Sequence, residues 1–496
     1  MQSGLRGMRP VEPSALRSTL GFACNQGFVF SLFYLGPNRA LDAGPVLFER
    51  ADLFATLAFM VLSFALLRAA APRARDALLS RALLWCYALL LVVGSALPVL
   101  VGPAPGTVLA EGLLVGASAG LMLAAWGRAF GRRPSERCLP EVFVSSALAA
   151  AVCLAFWALP WEGAPLALKL LALGSAFALK GLAPFSEEGA RQSCKGGSAP
   201  SPITFGDLVA TKEQRVETAR LSRKMLTGTV LFGLAAGFME TFSSEPGMAS
   251  NPAIGATLLV LVLFCTAALQ LMAGDARASQ DGRGAQSPLD GVYRLAVLVM
   301  MAGFLFVPVL GSFGVTGEAV VLAGYLGLIS VLISLFLLMA KLTGQDAAAA
   351  FAGGFAALYL GEMAGIVLGN VIESLEPAGE APYAVAAFAG LAALYAYLFL
   401  FTERDFGALS VIVRDADRFD DACRVISSEH GLSKRESEIL PLALRGRTGE
   451  RIAGELFISK STVDTHLRRI YAKTGTHGRQ ELIDLGERTV RRLGGK

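Results

Sequence analysis

The sequence predicts an all-α chain in two parts: a polytopic membrane bundle of six plus six helices, followed by a small four-helix domain. Three observations predict this. Hydrophobic residues make up 54% of the 496 residues and charged residues only 17%, where a soluble globular chain carries about 25%. Twelve stretches approach the roughly 20 mostly apolar residues that a helix needs to cross a bilayer. Beyond Phe401 the apolar runs stop and the chain turns polar, then basic.

The spans are expected at about 17–36, 51–71, 77–101, 107–128, 141–160, 164–183, 225–244, 252–273, 291–311, 318–341, 349–372 and 381–401. The first, sixth and seventh are the least clean, because they hold Asn25 and Gln26, Lys169 and Lys180, and Glu240. The 54 glycines and the Ala-rich runs suit helices packed closely in lipid, where small residues let backbones approach. The seven cysteines show no C-x-x-C pair and no metal-ligand spacing, so neither a disulfide nor a metal or cofactor site is expected. The amino end runs into the first span without a small-residue cleavage site, so no cleaved signal peptide is expected.

Lys and Arg collect in alternate loops. Arg6, Arg9 and Arg17 precede span one, Arg68, Arg73, Arg75 and Arg81 lie between two and three, and Arg128, Arg132, Arg133 and Arg137 lie between four and five. The polar middle, 185–224, and the loops after spans eight and ten continue the pattern. The other loops, such as GPAPGT and PWEGAP, hold neither residue. Only Pro37 to Arg50 breaks the alternation, with Arg39 and Arg50 balanced by Asp42 and Glu49. Positive charge stays inside, so an even number of spans places both termini in the cytoplasm of a bacterial cell, with the bundle in the inner membrane and lipid around it.

Residues 1–401 thus form a membrane domain with halves 1–184 and 225–401, joined by the cytoplasmic segment 185–224. This layout resembles the major facilitator superfamily, whose two six-helix halves surround a central cavity. One departure matters: the family carries a Gly-rich, Asp-Arg-containing loop between spans two and three, whereas here it reads LLRAAAPRARDALLSR, without those glycines.

Residues 402–431 hold seven acids and four bases and read as a polar linker with a short amphipathic helix near 415–428. Residues 432–496 hold fourteen Lys or Arg against eight Asp or Glu. Ser433 and Glu436 have capping-box spacing and open a helix with Ile439, Leu440, Leu442 and Ala443 inward, stopped near Gly446. Thr448 can cap a second helix carrying Ile452, Ala453 and Leu456. Ser459 can cap a third, in which Val463, Leu467 and Ile470 recur at spacings of four and three. A fourth runs from about Gly478 through Leu482, Ile483, Leu485 and Val490.

These residues carry a specific resemblance. Glu436, Leu440, Gly446, Ile452, Ala453, Leu456, Ser459, Thr462, Val463, His466, Ile470, Lys473, Gly475, Arg479, Glu481 and Leu482 match the LuxR/GerE-type helix-turn-helix family. Thr474, where an apolar residue is typical, and Asp464, where a base is common, depart from it. The resemblance implies that the third helix enters the DNA major groove. It puts Asp464, Thr465 and Arg468 at base-reading positions, and Lys460, Ser461, Thr462, Arg469 and Lys473 are placed for phosphates. It also implies a homodimer formed through the fourth helix on double-stranded DNA.

No phosphoacceptor domain precedes this tail; the spans stand in its place. The reading is therefore a membrane-bound one-component transcriptional regulator whose bundle senses a small ligand of unknown identity. Ionisable groups within spans are costly and face a cavity or a partner. Glu362 is the first sensing candidate, with Glu240, Glu111, Asn25 and Gln26 beside it; the alternative for each is a purely structural, mutually satisfied polar group. An alternative reading of the whole is a facilitator-type solute transporter with a regulatory DNA-binding tail. No nucleophile–base constellation or phosphate loop suggests an enzyme.

Overall fold

The computed structural model describes residues 13–34, 39–42, 47–102, 104–131, 133, 135–158, 163–182, 212–242, 253–280, 288–310, 317–343, 346–375, 388, 390, 392, 419, 421–456 and 458–494. The apolar runs become helices because a backbone in hydrocarbon must satisfy its own N–H and C=O groups. In chain order they are α1 (Pro13–Val29), α2 (Ala51–Ala69), α3 (Pro72–Leu78), α4 (Arg81–Val101), α5 (Pro105–Glu111), α6 (Ala117–Gly131), α7 (Ser135–Ala158) and α8 (Ala164–Gly181). After the polar middle come α9 (Lys212–Phe242), α10 (Ile254–Gln280), α11 (Pro288–Leu310), α12 (Gly317–Thr343) and α13 (Ala347–Leu375). Nine of the described helices are long and apolar enough to cross a membrane, with α5 and α6 counted as one. The first expected span, 17–36, begins earlier, at Pro13, and α1 passes into a π-helical turn at Phe30–Tyr34. The seventh is longer, because α9 takes in the end of the polar middle. The twelfth, 381–401, lies outside the described residues except for helical positions 388, 390 and 392.

Two glycine contacts set the closest approaches. Gly233 and Gly237 of α9 lie against Leu358 and Glu362 of α13, and Gly361, Gly365 and Gly369 of α13 lie against Val230, Leu234 and Thr241 of α9. A Cβ on Gly237 would collide with the Glu362 carbonyl, and one on Gly361 with that of Val230. In the first half, Gly112, Gly116 and Gly120 lie against Ala55, Thr56 and Ser63 of α2. The π-helical turn Gly112–Gly116 joins α5 to α6 there, one residue after Glu111. Larger side chains fill the remaining space: Phe22, Trp126 and Phe130 cluster in the first half, and Phe336, Phe351 and Phe355 in the second.

The first loop is partly ordered by a two-residue antiparallel pairing, β1 (Leu41–Asp42) with β2 (Leu47–Phe48). The second loop, where the family glycines are missing, folds instead as α3. Arg75 of α3 donates to the carbonyls of Leu67, Arg68 and Ala70 and so caps the end of α2.

The tail forms its own core. Its helices are α14 (Lys434–Leu444), α15 (Gly449–Leu456), α16 (Lys460–Thr474) and α17 (Arg479–Gly494). Ser433 accepts from the Glu436 N–H while the Glu436 carboxylate accepts from the Ser433 N–H, so the capping box is closed. Thr448 accepts from the Arg451 N–H at the start of α15. Gly446 and Gly475 take positive φ, 72° and 67°, where α14 and α16 end. Residues 421–429 are helical upstream of α14, and Cys423 and Ile426 lie inside the same core as Ile439, Leu440, Val463 and Ile470.

Candidate DNA interface and sensing cluster

The recognition surface follows from which face of α16 is buried. Val463, Leu467 and Ile470 turn inward at helical spacing, so Ser461, Asp464, Thr465 and Arg468 turn outward, flanked by Lys460 and Arg469. Ser459 caps the helix by accepting from the Thr462 N–H at 3.1 Å, and the Thr462 hydroxyl bonds back to it at 2.7 Å. The Thr465 hydroxyl donates to the Ser461 carbonyl. Arg468, Arg469 and Asp464 make no hydrogen bond or ion pair among the described residues. Two exposed guanidinium groups left to water on a helix front are what phosphate or base-edge contact requires.

Two of the expected phosphate contacts are already engaged. Lys460 Nζ lies 3.0 Å from Glu450, whose hydrogen bond and charge raise the ammonium pKa. Lys473 Nζ donates to the buried Glu436 carboxylate at 2.7 Å and to the Gly431 carbonyl at 3.0 Å. Burial pushes the Glu436 pKa up, but bonds from Lys473 and from the Ser433 N–H and hydroxyl outweigh it and hold the pKa at about 2. Sequence pattern alone did not show that Lys473 fastens α16 to the start of α14. On α17, Leu482 is buried, Gly486 packs on Leu444, and Arg492 pairs with Glu429 of the upstream helix at 3.0 Å.

In the membrane domain Glu111 and Glu240 pair with arginines of the first loop, while Glu362 sits in the middle of α13. Glu362 is 0% exposed and accepts a 2.7 Å hydrogen bond from the Tyr325 hydroxyl. Tyr325 and Glu240 line one small cavity with Ala236, Met239, Val321 and Leu322, so Glu240 and Glu362 share a neighbourhood. Glu240 accepts from Arg50 at 2.6 Å with both side chains buried. Glu111 accepts from Arg39 at 2.6 Å. Asn25 and Gln26 lie apart on α1, which packs against α7 and α8. Asn25 Nδ2 and Gln26 Nε2 are buried without a hydrogen-bond partner among the described residues.

The cluster contains residues that the sequence did not single out as site candidates. Arg39 and Arg50, the exceptions to the charge alternation, both turn into the protein. Arg50 stands at φ 55°, the one non-glycine at positive φ among the described residues, and opens α2. Beside it the Glu49 N–H donates to Asn370 Oδ1 at 2.6 Å, and Asn370 Nδ2 donates to the Glu49 carbonyl. Asp52 lies close enough to Arg50 and Arg39 to feel both charges, and its Oδ1 accepts no hydrogen bond among the described residues. At the opposite end, Arg128 bridges Asp76 at 2.9 Å and Asp346 at 2.7 Å, and Arg75 adds a longer contact to Asp346. Ion pairs therefore join the two halves at both ends of the bundle.

Comparison with known proteins agrees with this division. Residues 430–485 match the family described as "Bacterial regulatory proteins, luxR family". A stretch of 63 residues is 35% identical to the HTH-type transcriptional regulator MalT of Serratia proteamaculans (strain 568). It covers 13% of this chain and only 7% of that relative's length. The fold of the remainder is similar to that of the human organic anion transporter MFSD10 (TETRAN). The TM-score is 0.51 at 14% identity, over 79% of this chain and 100% of that one. The carboxy-terminal residues 430–485 are thus similar to the LuxR-family helix-turn-helix, and the membrane domain has a major-facilitator-like fold.

Proposed function

We propose that the chain is a membrane-bound one-component transcriptional regulator. Its bundle senses a small molecule, and its tail binds operator DNA beneath the inner membrane with both termini cytoplasmic. The observation that carries this reading is the outward face of α16, where Arg468 and Arg469 stand open to water, on a LuxR-type domain in the same chain as a facilitator-like bundle. Asp464, Thr465 and Arg468 read bases; Lys460, Ser461, Thr462 and Arg469 meet phosphates; Lys473 acts both as the pin of α16 and as backbone-facing charge. Two tails pair through α17 on a palindromic operator with half-sites about one helical turn apart. Glu362, Glu240 and Glu111 form the sensing cluster, and Asn25 and Gln26 supply a second polar position on α1. The reading includes no catalytic step.

A gel-shift series with the full chain tests it. Arg468→Ala is expected to lose operator discrimination worth about 1–3 kcal/mol, and Arg469→Ala to weaken all sequences alike. If both variants bind the operator like the parent, the assignment of α16 fails. The facilitator-like fold favours one second reading, a solute transporter whose tail reports on flux. Solute movement by a chain truncated after Glu403 would support it.

A further inference from the structure

We propose that the seam between the start of α1 and the end of α8 binds one anionic phospholipid. Arg17 and Lys180 hold its phosphate, and an acyl chain lies along Leu20 and Phe177. The idea goes beyond the regulator reading and takes from it only that this end of the bundle faces the cytoplasm.

The register of the two helices builds the site. α1 and α8 run antiparallel, with Gly27 against Leu171, Gly174 against Cys24 and Gly21 against Ala178. Continued by one turn, this register brings Arg17 to Gly181, the last residue of α8. There the guanidinium occupies the space beside the bare glycine, and a Cβ on Gly181 would collide with it. The same guanidinium lies over the Phe177 ring, 5.3 Å from its centroid. A planar cation stacked on a ring face keeps the N–H groups of its edge free for a bidentate acceptor such as phosphate. Lys180 is exposed three residues after Phe177 and so lies on the same face of α8.

The charge there is uncompensated. Arg17 and Lys180 make no hydrogen bond or ion pair among the described residues. Glu141, which bonds the neighbouring Ser18, is paired with Arg133. The carboxy-terminal end of α8 attracts cations, yet neither side chain donates to one of its carbonyls. Below the two cations runs an exposed apolar lane: Leu16 and Leu20, one turn apart on α1, are 54% and 47% exposed, and Phe177 is 58% exposed. A free phosphate would use only the cations. A diacyl phospholipid uses both, and basic sites between helices at the cytoplasmic face suit anionic headgroups.

Thermal unfolding of the full chain in detergent tests this. Added dioleoyl phosphatidylglycerol should raise the midpoint by a few degrees through mass action, and dioleoyl phosphatidylcholine should raise it less. The double variant Arg17→Gln with Lys180→Gln should lose the excess. Arg73→Gln, which removes an exposed charge from α3 at the same end, should keep it. Equal rises with the two lipids, an excess retained in the double variant, or an equal loss in Arg73→Gln overturns the proposal. The same rise with inorganic phosphate in place of lipid also overturns it, because the lane would then contribute nothing. If the double variant does not fold, Gly181→Ala, which displaces the guanidinium alone, should shrink the excess, and an unchanged excess overturns the proposal. Operator binding is a separate measurement on the same chain, so loss of the lipid effect with DNA binding intact removes only this site.

Discussion

The two parts of the chain treat charge in opposite ways. In the bundle, ion pairs join helices far apart in sequence: Arg50 to Glu240, Arg39 to Glu111, Arg128 to Asp346. In the tail, several pairs are local or lie away from the outward face, such as Arg435 with Glu438 and Arg492 with Glu429, and the front of α16 keeps Arg468 and Arg469 open to water. A charge withdrawn from water must find a partner within the protein, or its desolvation goes uncompensated. A charge intended for phosphate is best left hydrated until DNA arrives and its counterions leave. Buried pairs therefore report how the bundle is closed, and open charges report what the tail is built to meet.

The largest effect expected from breaking this contrast comes from packing, because packing brings the buried pairs into register. Gly237 lies against the Glu362 carbonyl, one turn before Glu240. Gly237→Leu would force α9 from α13 and separate Glu240 from the Tyr325–Glu362 pair. Ordinary overpacking costs about 1–3 kcal/mol; here the obstacle is backbone, which cannot swing aside, so the loss is larger. The expected outcome is failure to accumulate as a monodisperse particle in size-exclusion chromatography. Gly454→Ala in the tail meets open space and should be neutral or stabilising by up to about 1 kcal/mol, read as unchanged or slower amide exchange in α15.

Next in size is the tie at the second-loop end. Arg128→Ala leaves Asp346 with the longer contact from Arg75 and the Ala348 N–H at 3.2 Å. Burial raises the Asp346 pKa, but the charge and hydrogen bond of Arg128 outweigh it and hold the carboxyl below its ordinary range. Stripping one partner from a buried pair costs about 3–5 kcal/mol, and the partial exposure of Asp346 places the expected loss under that. The double variant Arg128→Ala with Asp346→Ala should lose less than the sum of the singles, a coupling measurable by thermal unfolding. The comparison in the tail, Arg435→Ala, breaks a half-buried pair with Glu438 and a 3.3 Å bond to the Leu456 carbonyl, and should cost about 1 kcal/mol.

Much of this was legible beforehand, and the part that was not has a physical reason. Apolar length located the helices, and cap residues located those of the tail, because both signals act within a few residues of the structure they create. Thr474, out of keeping with an apolar site, is buried by donating to the Ile470 carbonyl and sharing a hydrogen bond with Thr476. The buried first-loop cluster was only half visible. Glu362, Glu240 and Glu111 stood out because carboxylates are rare in spans, but Arg39, Arg50 and Tyr325 join them from distant segments, and nothing local records such a contact. The trace that did exist was the first loop's failure to follow the charge alternation. A positive residue on the wrong side is expected when it is drawn into a protein-bound partner rather than left at the membrane surface.

A smaller effect, confined to the tail, concerns acid. Glu436 titrates at about 2 when folded against an ordinary 4.5. A depressed carboxylate contributes stability that is fully present above its unfolded pKa and is lost as pH falls through the folded value. The tail should therefore weaken between about pH 4.5 and 2. In Glu436→Gln that window should vanish, leaving a lower and flatter stability in amide exchange across α14 and α16. Persistence of the same acid dependence in the variant would assign it to other groups.

The smallest effect distinguishes a structural ion pair from a binding charge at one residue. Lys460 is exposed and paired with Glu450, also exposed. If the pair mattered to the fold, Lys460→Ala would lower the tail's stability; screening by water argues that it does not, and thermal unfolding should be unchanged. If Lys460 instead turns to a phosphate when DNA arrives, one counterion fewer is released by the variant. The slope of log K against log salt should then become shallower by about 1, equally for operator and unrelated DNA. Glu450→Gln sharpens the point: with its protein partner gone, Lys460 is freer to reach the backbone, so affinity should rise while the salt slope is retained. A fall in affinity would mean that Glu450 positions Lys460 rather than competing for it.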